Sequence, residues 1–410
     1  MSSFIFLLKL GFKNIFRNKL RSGLALAAIA LSIALIIVGM TFIKGAHTQL
    51  FQELLNEYGH LVLANENYFE KSRFNPLDYS IENADQLLAE LKSIKEIITS
   101  IKIIEFGFLI DKDEQNEPVR VTGVDVDEFK KFSRLSQCII EGRYLKAEAK
   151  EILLGKIIAE KLHVKAGDEI TAVGKTVHDS FYADGYTVVG IFDLGARFLN
   201  KAAYISIHQA QIFLDMENQV SKILLFGKSY LGAPRLKKKI QENIALPANI
   251  KVRTWQEDPL IGMMSKTFMA VMSSILFIIC FVAGLGILNM MFVSVLERKK
   301  EIAVLLALGM NHYRVMLLFL YEAFCYGSLG SIIGCILGTG PAIMLATKGI
   351  TLNFEKIQGI SFPLRETIYG DFQPINILVA MTIGILVSIA GMVWPILKIF
   401  RFKPNEVMRH

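Results

Sequence analysis

The most recognisable chemical pattern in this sequence is Gly174-Lys175-Thr176, which resembles the end of a phosphate-binding loop. Such a loop also needs a glycine five positions before its second glycine, because its backbone N–H groups must reach the phosphates together. That position holds Glu169. The sequence contains neither a Gly-x-Ser-x-Gly elbow nor a His-Glu-x-x-His motif. We therefore predict no ATPase and no catalytic residues in this chain.

Histidine and cysteine also lack the spacing that chemistry would need. His163, His178 and His208 are not spaced as metal ligands, so no metal site is predicted. Cys138 is the only cysteine between residues 44 and 266, which excludes a disulfide within that block. We interpret Cys138 as a small core residue rather than a nucleophile.

A second pattern lies at residues 297–309, which read ERKKEIAVLLALG. Charged residues cluster at its front and apolar residues follow at helical spacing: Glu297, Arg298, Lys300, Glu301, Ile302, Leu305, Leu306 and Gly309. This pattern predicts a short amphipathic helix. The helix either rests on lipid head groups or docks a soluble partner.

Two features mark the apolar stretch that follows. Glu322 is the only ionisable residue within a predicted span, and such groups are costly in lipid. It either forms a structural pair with Arg298 or Arg314, or has a role in transport or gating. Small residues recur at four-residue spacing in the same stretch, at Gly330, Gly334 and Gly338. Such spacing allows helices to approach closely, either within the chain or between subunits.

Four stretches are apolar over about 20 residues, the length that a membrane helix needs. Residues 22–43, 267–296 and 372–397 carry no charge, and residues 315–347 carry only Glu322. The first stretch exceeds the ~7–15 apolar residues of a signal peptide, so we interpret it as a retained helix. A hydrophobic content of 52% with only 20% charged residues also indicates a chain of two unlike parts.

Lysine and arginine predict the orientation of these helices. Residues 1–21, 297–314 and 398–410 carry 13 bases and 3 acids, whereas residues 44–266 carry 29 bases and 31 acids. Because basic loops stay in the cytoplasm, both termini and the 297–314 loop are predicted to be cytoplasmic. The net charge of +7 is thus a topology signal and does not indicate nucleic-acid binding.

Residues 44–266 form one polar block that alternates strand-like and helix-like signals. Strands are predicted at 102–110, 118–126, 186–194, 202–207, 222–227 and 250–255. Helices are predicted at 83–98 (with Asn83 as N-cap), 155–163, 208–216 and 233–244. The predicted fold is a four-helix membrane part with a large α+β extracytoplasmic domain inserted between helices 1 and 2.

The chain is accordingly divided into nine segments. They are a basic amphipathic cytoplasmic segment (1–21), four membrane helices (22–43, 267–296, 312–347 and 372–397), the external domain (44–266), a cytoplasmic segment (297–311), a short external loop (348–371) and a cytoplasmic tail (398–410).

This arrangement resembles the FtsX/MacB-type ABC transporter permeases with four spans. The strongest resemblance is in ERKKEIAVLLALG (297–309), which is similar to the family signature E-R-x-x-E-I-x-x-L-x-A-L-G. Supporting resemblances are KNIFRNKLRS (13–22) and FKPNEVMR (402–409). Within the block, EGRYLKAEAKEILLGKIIAEKLHVKAGDEI (141–170), GHLVLANENYF (59–69) and VRTWQE (252–257) resemble the lipoprotein-releasing, LolC/LolE-like group.

The resemblance implies a mechanotransmitting permease in the bacterial inner membrane, with a MacB-like periplasmic core domain. It implies a dimer with a second permease chain, identical or paralogous, and separate LolD-like ATPase subunits that bind ATP and magnesium. The 297–309 segment would be the coupling helix seated in the ATPase. This chain itself would hold no cofactor.

In the lipoprotein-releasing branch, a lipoprotein enters between the first two helices and passes to a periplasmic carrier. The matching positions form a candidate substrate cleft: Val38, Met40, Phe42, Ile43, Phe268, Met269 and Met272. Two alternatives remain, MacB-like export of amphiphiles or peptides and FtsX-like signalling without transport.

Overall fold

A computed structural model of the chain describes residues 19–71, 77–112, 115–195, 197, 199–351 and 367–399. The helices are α1 (Lys19–Tyr58), α2 (Glu66–Lys71), α3 (Ala84–Leu91), α4 (Val126–Phe132), α5 (Lys156–Leu162), α6 (Ile207–Leu214), α7 (Ala233–Asn243), α8 (Pro259–Glu297), α9 (Lys299–Ala307), α10 (His312–Lys348) and α11 (Ile375–Ile399).

The strands follow the same chain order. They are β1 (Leu61–Asn65), β2 (Ile97–Lys112), β3 (Gln115–Val124), β4 (Ile139–Gly142), β5 (Glu151–Gly155), β6 (Glu169–Lys175), β7 (Phe181–Phe192), β8 (Ala202–Ser206), β9 (Lys222–Gly227), β10 (Ile250–Thr254), β11 (Ile350–Thr351) and β12 (Thr367–Ile368).

Within the described residues, α1, α8, α10 and α11 are long and apolar enough to cross a membrane. The predicted fold class, four membrane helices with a large inserted domain of helices and strands, is confirmed. The chain divides into two units, and the divisions fall after Thr48 in α1 and after Lys266 in α8. We call residues 49–266 the sheet unit and the described remainder the helical unit.

Two membrane helices are longer than the apolar stretches that predicted them. Helix α1 continues to Tyr58 because Leu50, Phe51, Leu54 and Leu55 recur at helical spacing and are all buried. Helix α8 begins at Pro259, after Asp258, whose carboxylate accepts hydrogen bonds from two N–H groups of its first turn. Hydropathy reports only the apolar middle of such helices.

The sheet unit contains a ten-stranded sheet among its described residues, in the order β10-β1-β9-β2-β3-β8-β5-β7-β4, with β6 paired to β2 and β7. Most pairs are antiparallel, but β3–β8 and β5–β7 are parallel. The first strand of the unit lies between its last two, because Leu61 is paired with both Leu225 and Thr254. All six predicted strands overlap observed ones; β1, β4, β5 and β6 were not predicted.

The prediction of a helix over residues 83–98 is wrong in its second half. Helix α3 ends at Leu91, and β2 begins at Ile97, where it pairs with β9. Asn83 does occupy the N-cap position, but its φ of 51° is left-handed and its side chain makes no capping hydrogen bond. Pairing with a strand distant in sequence outweighed local helix preference here.

In the helical unit, α1 and α10 pack closely along the glycines of α10. A Cβ at Gly330 would lie 2.7 Å from the Ile29 side chain, and one at Gly334 would lie 2.6 Å from the Ala30 carbonyl oxygen. A Cβ at Gly338 would lie 2.7 Å from Ala34 Cα. Of the two interpretations of these glycines, the structure therefore shows packing within the chain.

Candidate functional site

The segment between α8 and α10 is a short helix separated from α8 by a single residue. Helix α8 ends at Glu297 and α9 begins at Lys299, with Arg298 between them at the N-cap. The Arg298 N–H donates to the Val295 carbonyl, and the Arg298 carbonyl accepts from Ile302 N–H at 3.0 Å. The break therefore redirects the chain while backbone hydrogen bonds continue on both sides.

Helix α9 ends in a glycine-capped turn. Gly309 has φ +87°, its N–H donates to Leu306 O, and the Met310 N–H donates to Leu305 O. These two bonds form a Schellman motif, which needs a left-handed residue at the position of Gly309. Nothing lies within 4 Å of a Cβ built there, so the conformation alone accounts for the glycine.

The apolar residues of α9 that were predicted to dock a partner lie on its inward face. Ile302 and Ala303 are buried, and Leu305 and Leu306 are half-buried against the core of the helical unit. The exposed face instead carries Lys300, Val304, Ala307 and Leu308, at positions i, i+4, i+7 and i+8. Leu308 is 79% exposed and Val304 51%. Three of the predicted docking residues, Ile302, Leu305 and Leu306, thus pack against the helical core, whereas the exposed apolar residues Val304 and Leu308 were not among the predicted docking residues.

A buried ion pair joins the α8–α9 junction to α10. Arg298 Nη1 donates to Glu322 Oε1 at 2.7 Å and to Oε2 at 2.5 Å. Arg298 Nε donates to Glu301 Oε2 at 2.9 Å, and its guanidinium lies 5.1 Å from the Phe319 ring centre. Glu322 is only 2% exposed. Of the two predicted partners the structure shows Arg298, while Arg314 is exposed.

The candidate cleft residues lie where α1 and α8 approach each other. A Cβ at Gly39 would lie 3.2 Å from Leu276 Cδ1, and the His47 and Phe268 rings are 5.8 Å apart. Val38 and Met40 are half-buried against the helical core. Phe42, Ile43, Phe268 and Met272 are also half-buried, and Met269 is 40% exposed. The candidate cleft residues are themselves all apolar.

Two predicted features lie outside the described residues. They are the basic N-terminal segment up to residue 18 and the tail from residue 400 onward. The predicted loop 348–371 is described only at its ends, where β11 and β12 pair through Ile350 and Ile368. Among the described residues, no group of three or more His, Cys, Asp or Glu could hold a metal ion.

Comparison with known proteins agrees with this architecture. The MacB-like periplasmic core domain family matches residues 22–242, and the FtsX-like permease C-terminal family matches residues 273–404. The chain is 24% identical over 398 residues to the lipoprotein-releasing system transmembrane protein LolE of Haemophilus influenzae, covering 93% of this chain and 92% of LolE.

Two further relatives extend the comparison. The chain is 22% identical over 396 residues to the lipoprotein-releasing system transmembrane protein LolC of Buchnera aphidicola, covering 94% of this chain and 92% of LolC. It is 36% identical over 92 residues to the macrolide export ATP-binding/permease protein MacB of Brucella abortus, covering 22% of this chain and 14% of MacB.

The fold, the α8–α9 junction and the matches to known families together define an inner-membrane transport component with a periplasmic core domain. The chain belongs to the FtsX-like, MacB-like family of ABC transporter permeases, to which LolC and LolE also belong. Permeases of this class are generally non-catalytic and work with an ATPase partner.

Proposed function

We propose that this chain is the permease subunit of a transporter that extracts lipoproteins from the inner membrane and passes them to a periplasmic carrier. The observation that carries the proposal is the end-to-end match to LolE and LolC, which covers more than nine-tenths of each chain. A LolD-like ATPase, binding ATP and magnesium, supplies the energy. A second permease chain completes the membrane complex.

In this proposal the exposed face of α9 receives the ATPase. Apolar Val304 and Leu308 lie beside the charged Lys300, which suits a small interface with an apolar centre and a polar rim. The Arg298–Glu322 pair holds the junction, so that a push on α9 moves α8 and α10 together. Continuous helices α1 and α8 contribute residues to both units and carry this movement to the sheet unit.

The docking step is tested with Leu308→Asp. A buried, unpaired carboxylate in the interface should abolish co-purification of the ATPase. The matched control Leu308→Met keeps an apolar side chain of similar size and should retain the ATPase. Both variants must reach the membrane in normal amounts. Full ATPase binding by Leu308→Asp would remove α9 from the docking surface.

The substrate step is tested by photocrosslinking from Met269, the most exposed of the candidate cleft residues. In cells with an active complex, a photoreactive residue at this position should capture acylated protein. Leu386 on α11 is 60% exposed and provides a control position that should capture lipid only. An active complex that yields no acylated protein from Met269 would contradict lipoprotein release.

A second candidate function is MacB-like export of amphiphilic small molecules or peptides. The 36% identity to a macrolide exporter over 92 residues favours it. Reconstituted with its ATPase, a lipoprotein-releasing permease should transfer acylated protein to a soluble carrier. An exporter should instead protect cells from amphiphilic drugs and leave lipoproteins in the membrane.

A further inference from the structure

The sheet unit contains a cavity of about 760 Å³ that none of the candidate site residues lines. Its floor is one face of four neighbouring strands, β9, β2, β3 and β8, which present alternate residues to it. The floor includes Ile103, Glu105, Arg120, Thr122, Tyr204 and Lys222. Small-molecule sites in proteins occupy about 300–1,000 Å³, so this cavity is of ligand size.

Much of the lining is apolar. Phe129 of α4, Ile158 of α5 and Leu224 of β9 contribute side chains that are at most 2% exposed. Leu260 and Met264, from the first turns of α8, line it as well, and Leu260 is 57% exposed. Leu260 and Met264 thus continue the apolar lining formed by Phe129, Ile158 and Leu224.

The carboxylates of the cavity already have partners. Glu105 accepts from Lys222 at 2.8 Å and from the Tyr68 hydroxyl at 2.7 Å. Burial alone would raise the pKa of Glu105, but Lys222, Tyr68 and the nearby Arg120 hold it below its usual range. Glu57 accepts from Ser133, and Glu117 pairs with Lys161. No carboxylate here needs a ligand cation.

Two cations of the cavity have no carboxylate within ion-pair distance, although the charge of Arg120 also helps to lower the pKa of Glu105. Neither Arg120 nor Lys201 forms an ion pair with any residue in the described part of the chain. Arg120 is paired with Ala202 in the parallel β3–β8 ladder, and Lys201 immediately precedes Ala202. Both cations line the cavity, at neighbouring positions of β3 and of the chain that enters β8. An arginine beside a lysine is a common arrangement for binding carboxylate or phosphate oxygens.

We propose that this cavity binds a single-chain amphiphile with an anionic head group, of the class of long-chain fatty acids and lysophospholipids. The acyl chain packs against Phe129, Ile158 and Leu260. The head group binds at Arg120 and Lys201. This site goes beyond the proposed function, since its occupation requires neither the ATPase nor a lipoprotein.

The test uses the full chain in lipid nanodiscs of neutral composition and a palmitic acid probe with a mid-chain diazirine. After irradiation, mass spectrometry should find adducts on peptides that contain Phe129 and Leu224. Excess palmitate or lysophosphatidylglycerol should compete, and uncharged hexadecanol should not. Competition by only one of the two acids would support the site and identify its head group. Adducts confined to membrane helices, or equal competition by hexadecanol, would overturn the proposal.

Variants distinguish the contribution of the two cations to binding from that of the apolar lining. Arg120→Gln combined with Lys201→Gln should lower adduct formation at least tenfold, whereas the exposed control Lys238→Gln should not. Leu260→Asp should also lower it, and the similarly exposed Leu231→Asp, outside the cavity lining, should not. Unchanged labelling in both the double variant and Leu260→Asp would overturn the site. Because no step involves ATP, these results are independent of the Leu308→Asp and Met269 experiments.

Discussion

Arg298 and Glu322 form a buried ion pair that joins the α8–α9 junction to α10. Removing a single partner from such a pair leaves a buried charge without compensation, which typically costs about 3–5 kcal/mol. Replacing both partners with apolar residues is often much less costly. The sequence predicted a pair with either Arg298 or Arg314, or else a role in transport or gating, because Glu322 is the only charge in an apolar stretch.

We therefore expect Glu322→Leu to destabilise the chain strongly and to uncouple ATP hydrolysis from transport. The double variant Arg298→Leu/Glu322→Leu should recover much of the stability. Glu301→Gln is the control, because Glu301 bonds the same arginine but has a side chain 40% exposed. Thermal unfolding in detergent measures the stability and ATPase assays measure the coupling. Equal destabilisation by the single and double variants would contradict a pair-specific role.

His60 of the sheet unit is a buried histidine whose pKa is set by its surroundings. Its Nδ1 accepts a hydrogen bond from the Gly227 N–H at 3.1 Å, and the ring packs against Phe226 and Tyr230. Burial lowers the pKa of His60 to about 4, from an ordinary value of 6.5. The folded sheet unit therefore stabilises the neutral form of the His60 side chain relative to the protonated form.

The sign of the pH dependence follows from this shift. Between pH 6.5 and about 4, the unfolded chain binds a proton that the folded chain does not, so stability falls as the pH falls. The loss should reach about 3 kcal/mol near pH 4 and then level off. His60→Asn, whose amide oxygen can accept the same bond, should remove this component. The exposed His208→Asn should not. The free energy of unfolding of the full chain, measured from pH 7.5 to 4, checks both variants. If its dependence on pH is unchanged in His60→Asn, the assignment of this component to His60 is wrong.

Among the elements, α1 and α10 depend on glycine because their backbones lie in direct contact. No side chain can be added at Gly334 without moving the Ala30 carbonyl. A backbone atom cannot move aside as a flexible side chain can, and overpacking usually costs about 1–3 kcal/mol. The spacing of the glycines predicted close packing, but only the structure identified α1 as the partner.

We expect Gly334→Val to separate α1 from α10 and to lower the thermal stability of the purified chain. Gly340→Val is the matched control, since a Cβ at Gly340 on the same helix meets nothing within 4 Å. Stability in detergent and the amount of chain in the membrane provide the measurement. If both variants behave alike, the contact between the two helices does not matter for stability.

Helix α9 shows why spacing alone was insufficient at this scale. Its apolar residues occupy both faces, because Ile302 and Leu306 pack inward while Val304 and Leu308 remain exposed. A periodic pattern identifies a helix but cannot rank two apolar faces. The cavity was harder still, since its floor combines β2 and β3 with β8 and β9, which follow much later in the sequence.

For the whole molecule, the charge distribution predicts the orientation in the membrane. Basic residues concentrate before α1 and around α9, whereas the sheet unit is nearly balanced. In a chain with its four cysteines replaced, Asp179→Cys should react with an impermeant maleimide in cells whose outer membrane is permeable to the reagent. Tyr313→Cys, at a position 60% exposed, should react only after the inner membrane is opened. Reaction of Tyr313→Cys before that step would reverse the predicted topology.

The order of strands in the sheet unit also constrains how this protein is made. Leu61 is synthesised early, but its partners Leu225 and Thr254 follow far along the chain. At about 5–20 residues per second, β1 waits on the order of ten seconds or more before either neighbour exists. The nascent sheet cannot close until its final strand has left the ribosome and crossed the membrane. Until then an unpaired β1 needs protection from other chains.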